Sequence, residues 1–358
     1  MAFQRLHQFW QRLNIQLSAK ERLVFAKYLA VLLGAGLPID EAINVLKEQS
    51  KRSLARILEG LSVHLKQGDT LAAGLADFPY VFSPLFINLV ASGEASGNLQ
   101  ENLKQLVVQM QEEYELNGKI RGAMVYPIVI ITVALLIAAG IFIFVLPNVI
   151  GLFESLKVEL PLTTRILIAI AQFVTHHGTV TAISVFGFII AVLVARKIAW
   201  FRPAFHRFAL LMPIFGGIVK KVNLARMTRS LGTMLHSGIP IDEAINITRS
   251  TVNNIHYQRL FDELKTAIEL GGEVSSVFKK HPHLVPPMAS RVIFVGEQAG
   301  SLDEMLMYLA DFYEQEVSEV TKNLSDLIEP FLLILIGVFV GGIALSIMTP
   351  IYQVLGSF

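Results

Sequence analysis

Gly36-Leu37-Pro38-Ile39-Asp40-Glu41-Ala42-Ile43-Asn44 returns almost unchanged as Gly238-Ile239-Pro240-Ile241-Asp242-Glu243-Ala244-Ile245-Asn246. Self-similarity at a long period marks one structural unit used twice, so this stretch decides the fold. The match continues outward after a single inserted residue. Gly93-Glu94-Ala95-Ser96-Gly97-Asn98-Leu99 faces Gly296-Glu297-Gln298-Ala299-Gly300-Ser301-Leu302. Pro79 falls on Pro282, Pro84 on Pro287, Pro127 on Pro330 and Pro147 on Pro350.

Each copy reads as helices. Phe25, Leu29, Leu32 and Leu33 share one helical face, mirrored by Met227, Leu231, Met234 and Leu235. Gly36 and Gly238 end these helices, since glycine takes a left-handed backbone without steric cost. Pro38 and Pro240 restart the chain, and the following Asp-Glu pairs suit the positive end of a helix dipole. After each Gly-Glu-x-x-Gly turn, Asn98 with Glu101 and Ser301 with Glu304 have capping-box spacing. Long amphipathic helices follow, with core stripes Leu99, Leu103, Leu106, Met110, Tyr114 and Leu302, Leu306, Leu309, Tyr313, Val317. No strand-like alternation is sustained.

Composition places these helices beside a membrane. Of 358 residues, 53% are hydrophobic and 16% charged, and the net charge of +1 gives no overall field for nucleic acid. Three stretches are long and apolar enough to span: about Pro127 to Leu146, Thr179–Ala195 behind the His176-His177 pair, and Pro330 to Met348. Lys119 and Arg121 precede the first span, and a basic run from Arg196 to Arg229 follows the second without any Asp or Glu. The positive-inside rule then starts the chain in the cytoplasm and leaves its C-terminus outside. The basic run also suits anionic lipid.

The expected fold is all-α: an integral membrane protein with three transmembrane helices and two repeated cytoplasmic helical-bundle modules. The segments are an amphipathic arm (1–17), a first module (18–122), a span (123–147), an external loop and interfacial segment (148–175), a span (176–195), a basic cytoplasmic linker (196–223), a second module (224–328), a span (329–349) and an external terminus (350–358). The arm places Phe3, Leu6, Phe9, Trp10 and Leu13 on one face. It suits packing on its own domain or lying on a membrane surface.

The residues expected for chemistry are missing. There is no cysteine, phosphate-cradling loop, His-Glu-x-x-His or nucleophile elbow. The close histidine pairs, His176-His177 and His281-Pro-His283, lack the spacing that puts two imidazoles on one helix face. No catalytic residue, cofactor or metal is expected. The span cores carry no ionisable group, which disfavours a permease; Glu329, beside Pro330, falls at the interface. Glu94 and Glu297 are the polar residues of most interest, with Gly93, Gly97, Gly296 and Gly300 around them. Two roles stand open: a carboxylate that fixes the turn by bonding backbone amides or an arginine, or an exposed docking or cation point.

The ordered set of Gly36-Leu-Pro, Gly238-Ile-Pro, both Gly-Glu-x-x-Gly turns, Leu160-Pro-Leu-Thr-Thr-Arg165 and Glu329-Pro330 resembles the type II secretion F proteins, which include the inner-membrane platforms of type IV pili. The resemblance covers nearly the whole chain, although many members have a longer segment before the first module. It implies a non-enzymatic platform in the cytoplasmic membrane. It also implies partners: a hexameric cytoplasmic assembly ATPase, pilins or pseudopilins, bitopic inner-membrane assembly proteins and further copies of itself. A small membrane permease is the alternative class.

Overall fold

The computed structural model describes residues 16–141, 201–212 and 215–323, with isolated helical positions at 144, 187, 190 and between 329 and 348. Among the described residues all regular structure is helical. Six helices come first: α1 (Ala19–Gly34), α2 (Ile39–Glu48), α3 (Arg52–Lys66), α4 (Leu71–Ala76), α5 (Pro84–Ser96) and α6 (Leu99–Gly140). A short α7 (Arg202–Leu211) precedes α8 (Phe215–His236), α9 (Ile241–Thr251), α10 (Ile255–Glu269), α11 (Val274–Lys279), α12 (Pro287–Ala299) and α13 (Leu302–Lys322).

Local chemistry explains the breaks. Gly36 and Gly238 sit at φ +85° and +76°, where a side chain is strained, and so they end α1 and α8. Pro38 and Pro240 cap α2 and α9 with φ near −58° and −55°, and acidic pairs occupy both first turns. A capping box does form, but at Ser18 and Glu21, each bonding the other's backbone. The boxes expected at Asn98–Glu101 and Ser301–Glu304 do not close among the described residues. Glu101 faces Lys104 at 3.4 Å. Asn98 is exposed, where water satisfies terminal amides as well as a side chain does.

The chain divides into two compact units, Met1–Gly118 with His206–Ser318, and Lys119–Phe205 with Glu319–Phe358. The first unit holds most of both expected modules. One core gathers Phe25, Phe82 and Phe86, with ring centroids 4.8–6.3 Å apart. The other sets Phe261 against Phe278 and buries Tyr257, whose hydroxyl donates to the Leu284 carbonyl at 2.8 Å.

The bundles also meet each other. Thr233 Oγ1 donates to Gln109 Oε1 at 3.0 Å, Arg226 Nη2 to Asn117 Oδ1 at 2.7 Å, and Ser92 Oγ to the Ser237 carbonyl at 3.5 Å. This contact alters the expected stripe on α6: Tyr114 is 44% exposed, whereas Gln109 and Leu116 are buried. The stripe on α13 is buried from Leu306 through Leu309 and Tyr313 to Val317.

In the second unit, α6 continues without interruption past Pro127, which lies inside the helix. Its 42 residues extend about 63 Å at 1.5 Å per residue. Beyond Arg121 it carries no charge, and Ile128, Leu135 and Leu136 stand exposed. It is long and apolar enough to cross a bilayer. The expected span 176–195 lies almost wholly outside the described residues, as do the arm (1–17) up to residue 15 and the loop 148–175. At the third, the described positions from Glu329 to Met348 are helical and mostly exposed.

Candidate functional site

The two Gly-Glu-x-x-Gly turns converge on one geometry. Gly97 and Gly300 end α5 and α12 at φ +73° and +69°. Two residues later the chain enters α6 or α13, so the paired helices cross closely. Gly93 and Gly296 line the crossing. A Cβ at Gly93 would lie 2.8 Å from Leu99 Cα, and one at Gly296 2.6 Å from Met305 Cγ. Only hydrogen fits at either place without moving a neighbour.

This crossing aims the intervening glutamate at another helix. Glu94 Oε1 accepts the Leu71 amide at 2.6 Å, and Oε2 accepts that of Ala72 at 2.8 Å. Thr70 Oγ1 accepts the next amide, from Ala73, at 3.1 Å. The open donors at the start of α4 are thereby filled, with negative charge at the positive end of the helix. Glu297 does the same for α11, accepting from Val274 at 2.6 Å and Ser275 at 3.1 Å. Both acids are half-buried. Helices of six residues do not hold in isolation, and each is tied down by a two-point carboxylate clamp.

Three features go beyond the sequence reading. Gly68 and Gly271 also take left-handed backbone, at φ +85° and +75°, ending α3 and α10; their matched register was the available signal. His64, beside the first clamp, is held between Asp69 at 2.9 Å and Asp77 at 3.2 Å. The hydrogen bond to Asp69 raises its pKa, against the opposing effect of partial burial. Arg229 is buried on α8 and bonds Glu314 through Nε at 3.0 Å and Nη2 at 2.5 Å, with Asp311 alongside. Burial alone would lower the Arg229 pKa, and the two carboxylates more than reverse this. Burial raises that of Glu314, with Glu112 of α6 adding to the rise.

Among the described residues no group of three or more His, Asp or Glu converges on a metal position. His281 and His283 have ring centroids 5.8 Å apart, but His281 Nε2 is engaged by Glu263 at 2.8 Å. His176 and His177 lie outside the described residues.

These features define an all-helical protein with two matched carboxylate-clamped bundles and a helix long and apolar enough to cross a bilayer. The chain belongs to the family of type II secretion system (T2SS) protein F, whose sequence profile matches residues 25–147 and again 227–350. It is 33% identical over 345 residues to the type IV pilus assembly protein PilC of Thermus thermophilus, covering 94% of this chain and 83% of the relative. PilC of Pseudomonas aeruginosa is 31% identical over 333 residues, at 92% and 88% coverage. The type II secretion system protein F of the same organism is 30% identical over 336 residues, at 94% and 83% coverage.

Proposed function

We propose that this chain is the inner-membrane platform of a type IV pilus or type II secretion machine, coupling a cytoplasmic ATPase to filament assembly. The family match carries this reading: it recurs in both halves, and relatives named for pilus assembly and for secretion align over most of the chain. The filament subunits would be pilins or pseudopilins, and bitopic membrane proteins would complete the assembly. The protein acts mechanically, with no reaction of its own.

The geometry suggests how force would travel. α6 leaves the first clamp as one unbroken helix and runs into its apolar segment. A movement imposed on the clamped bundles would pass along that lever into the bilayer. Two further spans, at 176–195 and 329–349, would complete the anchor. The clamp residues, from Gly93 to Gly97 and from Gly296 to Gly300, would hold the bundle surfaces in shape for docking.

Co-purification tests this. The full chain in detergent should capture the assembly ATPase encoded with it, and cells lacking the chain should make no filament. Failure to capture the ATPase, with filaments intact in the deleted strain, would remove the platform role.

A further inference from the structure

The contact between the bundles uses one face of the first bundle and a different face of the second. Because the bundles are sequence repeats, each of those faces has a counterpart that the chain leaves open. The pair Gln109–Thr233 corresponds to Phe312 and Val31. The pair Ser92–Ser237 corresponds to Val295 and Ala35, and Asn117–Arg226 corresponds in sequence to Val320 and Val24. In all three, a polar pair inside the chain becomes an apolar pair.

Of these counterparts Val24, Val31, Ala35 and Val295 are exposed, and Phe312 and Val320 are half-buried. Leu85, at the internal contact, is 5% exposed, but its equivalent Met288 is 46% exposed. Thr233 is 2% exposed against 59% for Val31, and Val295 stands 55% exposed. Met288 and Val295 border an open groove of about 1140 Å³ that Phe294 and Met305 also line. Apolar surface left open in this way marks an interaction site.

Charge agrees. Lys279, Arg291 and Glu273 line the groove, a net positive set with none in an ion pair among the described residues. The opposite open face carries Lys27 on α1 and Asp40, Glu41 and Glu48 on α2, all exposed and without an ion pair among the described residues, a net negative set. Opposite charges at a rim steer and orient a contact.

We propose that a second copy of this chain covers the groove, its α1–α2 face docking on the α12–α13 face and repeating between copies the contact made within each. This builds on the platform reading by giving its self-association a geometry. The contact is head-to-tail: each copy offers both faces, so copies join in a ring or row rather than a two-fold pair.

Cysteine cross-linking tests it, since the chain has no cysteine of its own. Full-length protein in oxidised membranes would carry Val31→Cys with Phe312→Cys, or Ala35→Cys with Val295→Cys. Each double variant should give a ladder of dimers and larger multiples, and each single variant alone should give none. Mixing the two single variants should give dimers only. Ser92→Cys with Ser237→Cys, closing within one chain, verifies that the chemistry works on inserted protein. Absence of ladders at both pairs while this control closes would overturn the proposal, as would cross-links from single variants. Normal ATPase capture without ladders would overturn this inference alone; ladders without ATPase capture would count against the platform role alone.

Discussion

Glu94 Oε1 accepts the amide hydrogen of Leu71 across 2.6 Å, a bond that reaches back 23 residues to another helix. It converts a turn motif into a tertiary tie: α4 begins where α5 ends, whatever the connecting loop does. Glu297 and Val274 repeat the tie in the second bundle with the same separation. A carboxylate with both oxygens on backbone amides is a strong acceptor, because charge-assisted bonds exceed neutral ones about twofold.

Replacing Glu94 should therefore unfold α4 before the rest of the bundle. Glu94→Ala leaves two half-buried amides without a partner and should cost about 1–3 kcal/mol. Glu94→Gln keeps one acceptor but turns an NH2 group toward a donor, so it should fall between alanine and wild type. Glu94→Lys should be worse than either, with a cation at the positive helix end. Denaturant unfolding gives the order; a lysine variant as stable as wild type would show that the clamp contributes nothing.

The glycines beside the clamp should separate by mechanism. Gly97→Val strains a left-handed residue and should cost about 1–2 kcal/mol. Gly93→Ala has ordinary backbone but drives a Cβ toward Leu99 Cα at 2.8 Å, so the helices must part. Gly118→Ala meets nothing within 4 Å in mid-helix and should stabilise by about 0.5–1 kcal/mol. Thermal melts of the three variants decide, and equal losses in all three would reject the assignment.

Stability near the first clamp should depend on pH through His64. Its folded pKa is raised above 6.5, chiefly by the bond to Asp69. The folded state thus holds the proton more tightly, a stabilisation complete below pH 6.5 and lost as pH climbs through the raised value. His283 is shifted the opposite way by burial and neighbouring cations, so the whole protein masks the effect. His64→Gln against wild type isolates it: the stability difference should shrink from pH 6 to pH 8. A difference independent of pH would exclude the histidine as its source.

What the sequence disclosed was local. Gly36, Gly97, Pro38 and their twins each impose a backbone angle, and such constraints are legible without neighbours. The destination of Glu94 was not legible, because Leu71 is brought to it only by the crossing that Gly93 permits. The buried stripe on α6 departs from its periodicity at Tyr114 for a related reason: periodicity finds a helix's apolar face but not a second face that Gln109 and Leu116 bury against another bundle. Arg229 lay within a basic run that suggested topology and lipid, while its partners stand on α13, more than eighty residues away in sequence.

The Arg229–Glu314 pair should behave as a buried ion pair. Arg229 is 6% exposed at its side chain and Glu314 13%, whereas Asp311 is 72% exposed. Glu314→Ala leaves the buried guanidinium only the exposed Asp311 as a counter-charge among the described residues and should cost about 3 kcal/mol. Asp311→Asn should cost under about 1 kcal/mol, as surface pairs do. Arg229→Met with Glu314→Leu should recover most of the single-variant loss, because removing both charges also removes their desolvation. A double variant worse than the sum of the singles would contradict this.

Topology follows from a contact as well as from charge. Gln109 and Thr233 are hydrogen-bonded within one compact unit, so its parts before 118 and between 206 and 318 would share one side of any membrane. The chain would then cross an even number of times between them. The apolar end of α6 would supply one crossing, and the run from Ile166 to Ala195, free of Asp, Glu, Lys and Arg, is long enough for a second. Under the positive-inside rule the basic residues from Arg196 to Arg229 would put the shared side in the cytoplasm. Reporter fusions at Asp262 should read inside, and those at Glu159 and after Phe358 outside. Glu159 reading inside would leave no crossing pair between the bundles and would reduce α6 to an anchor that never traverses.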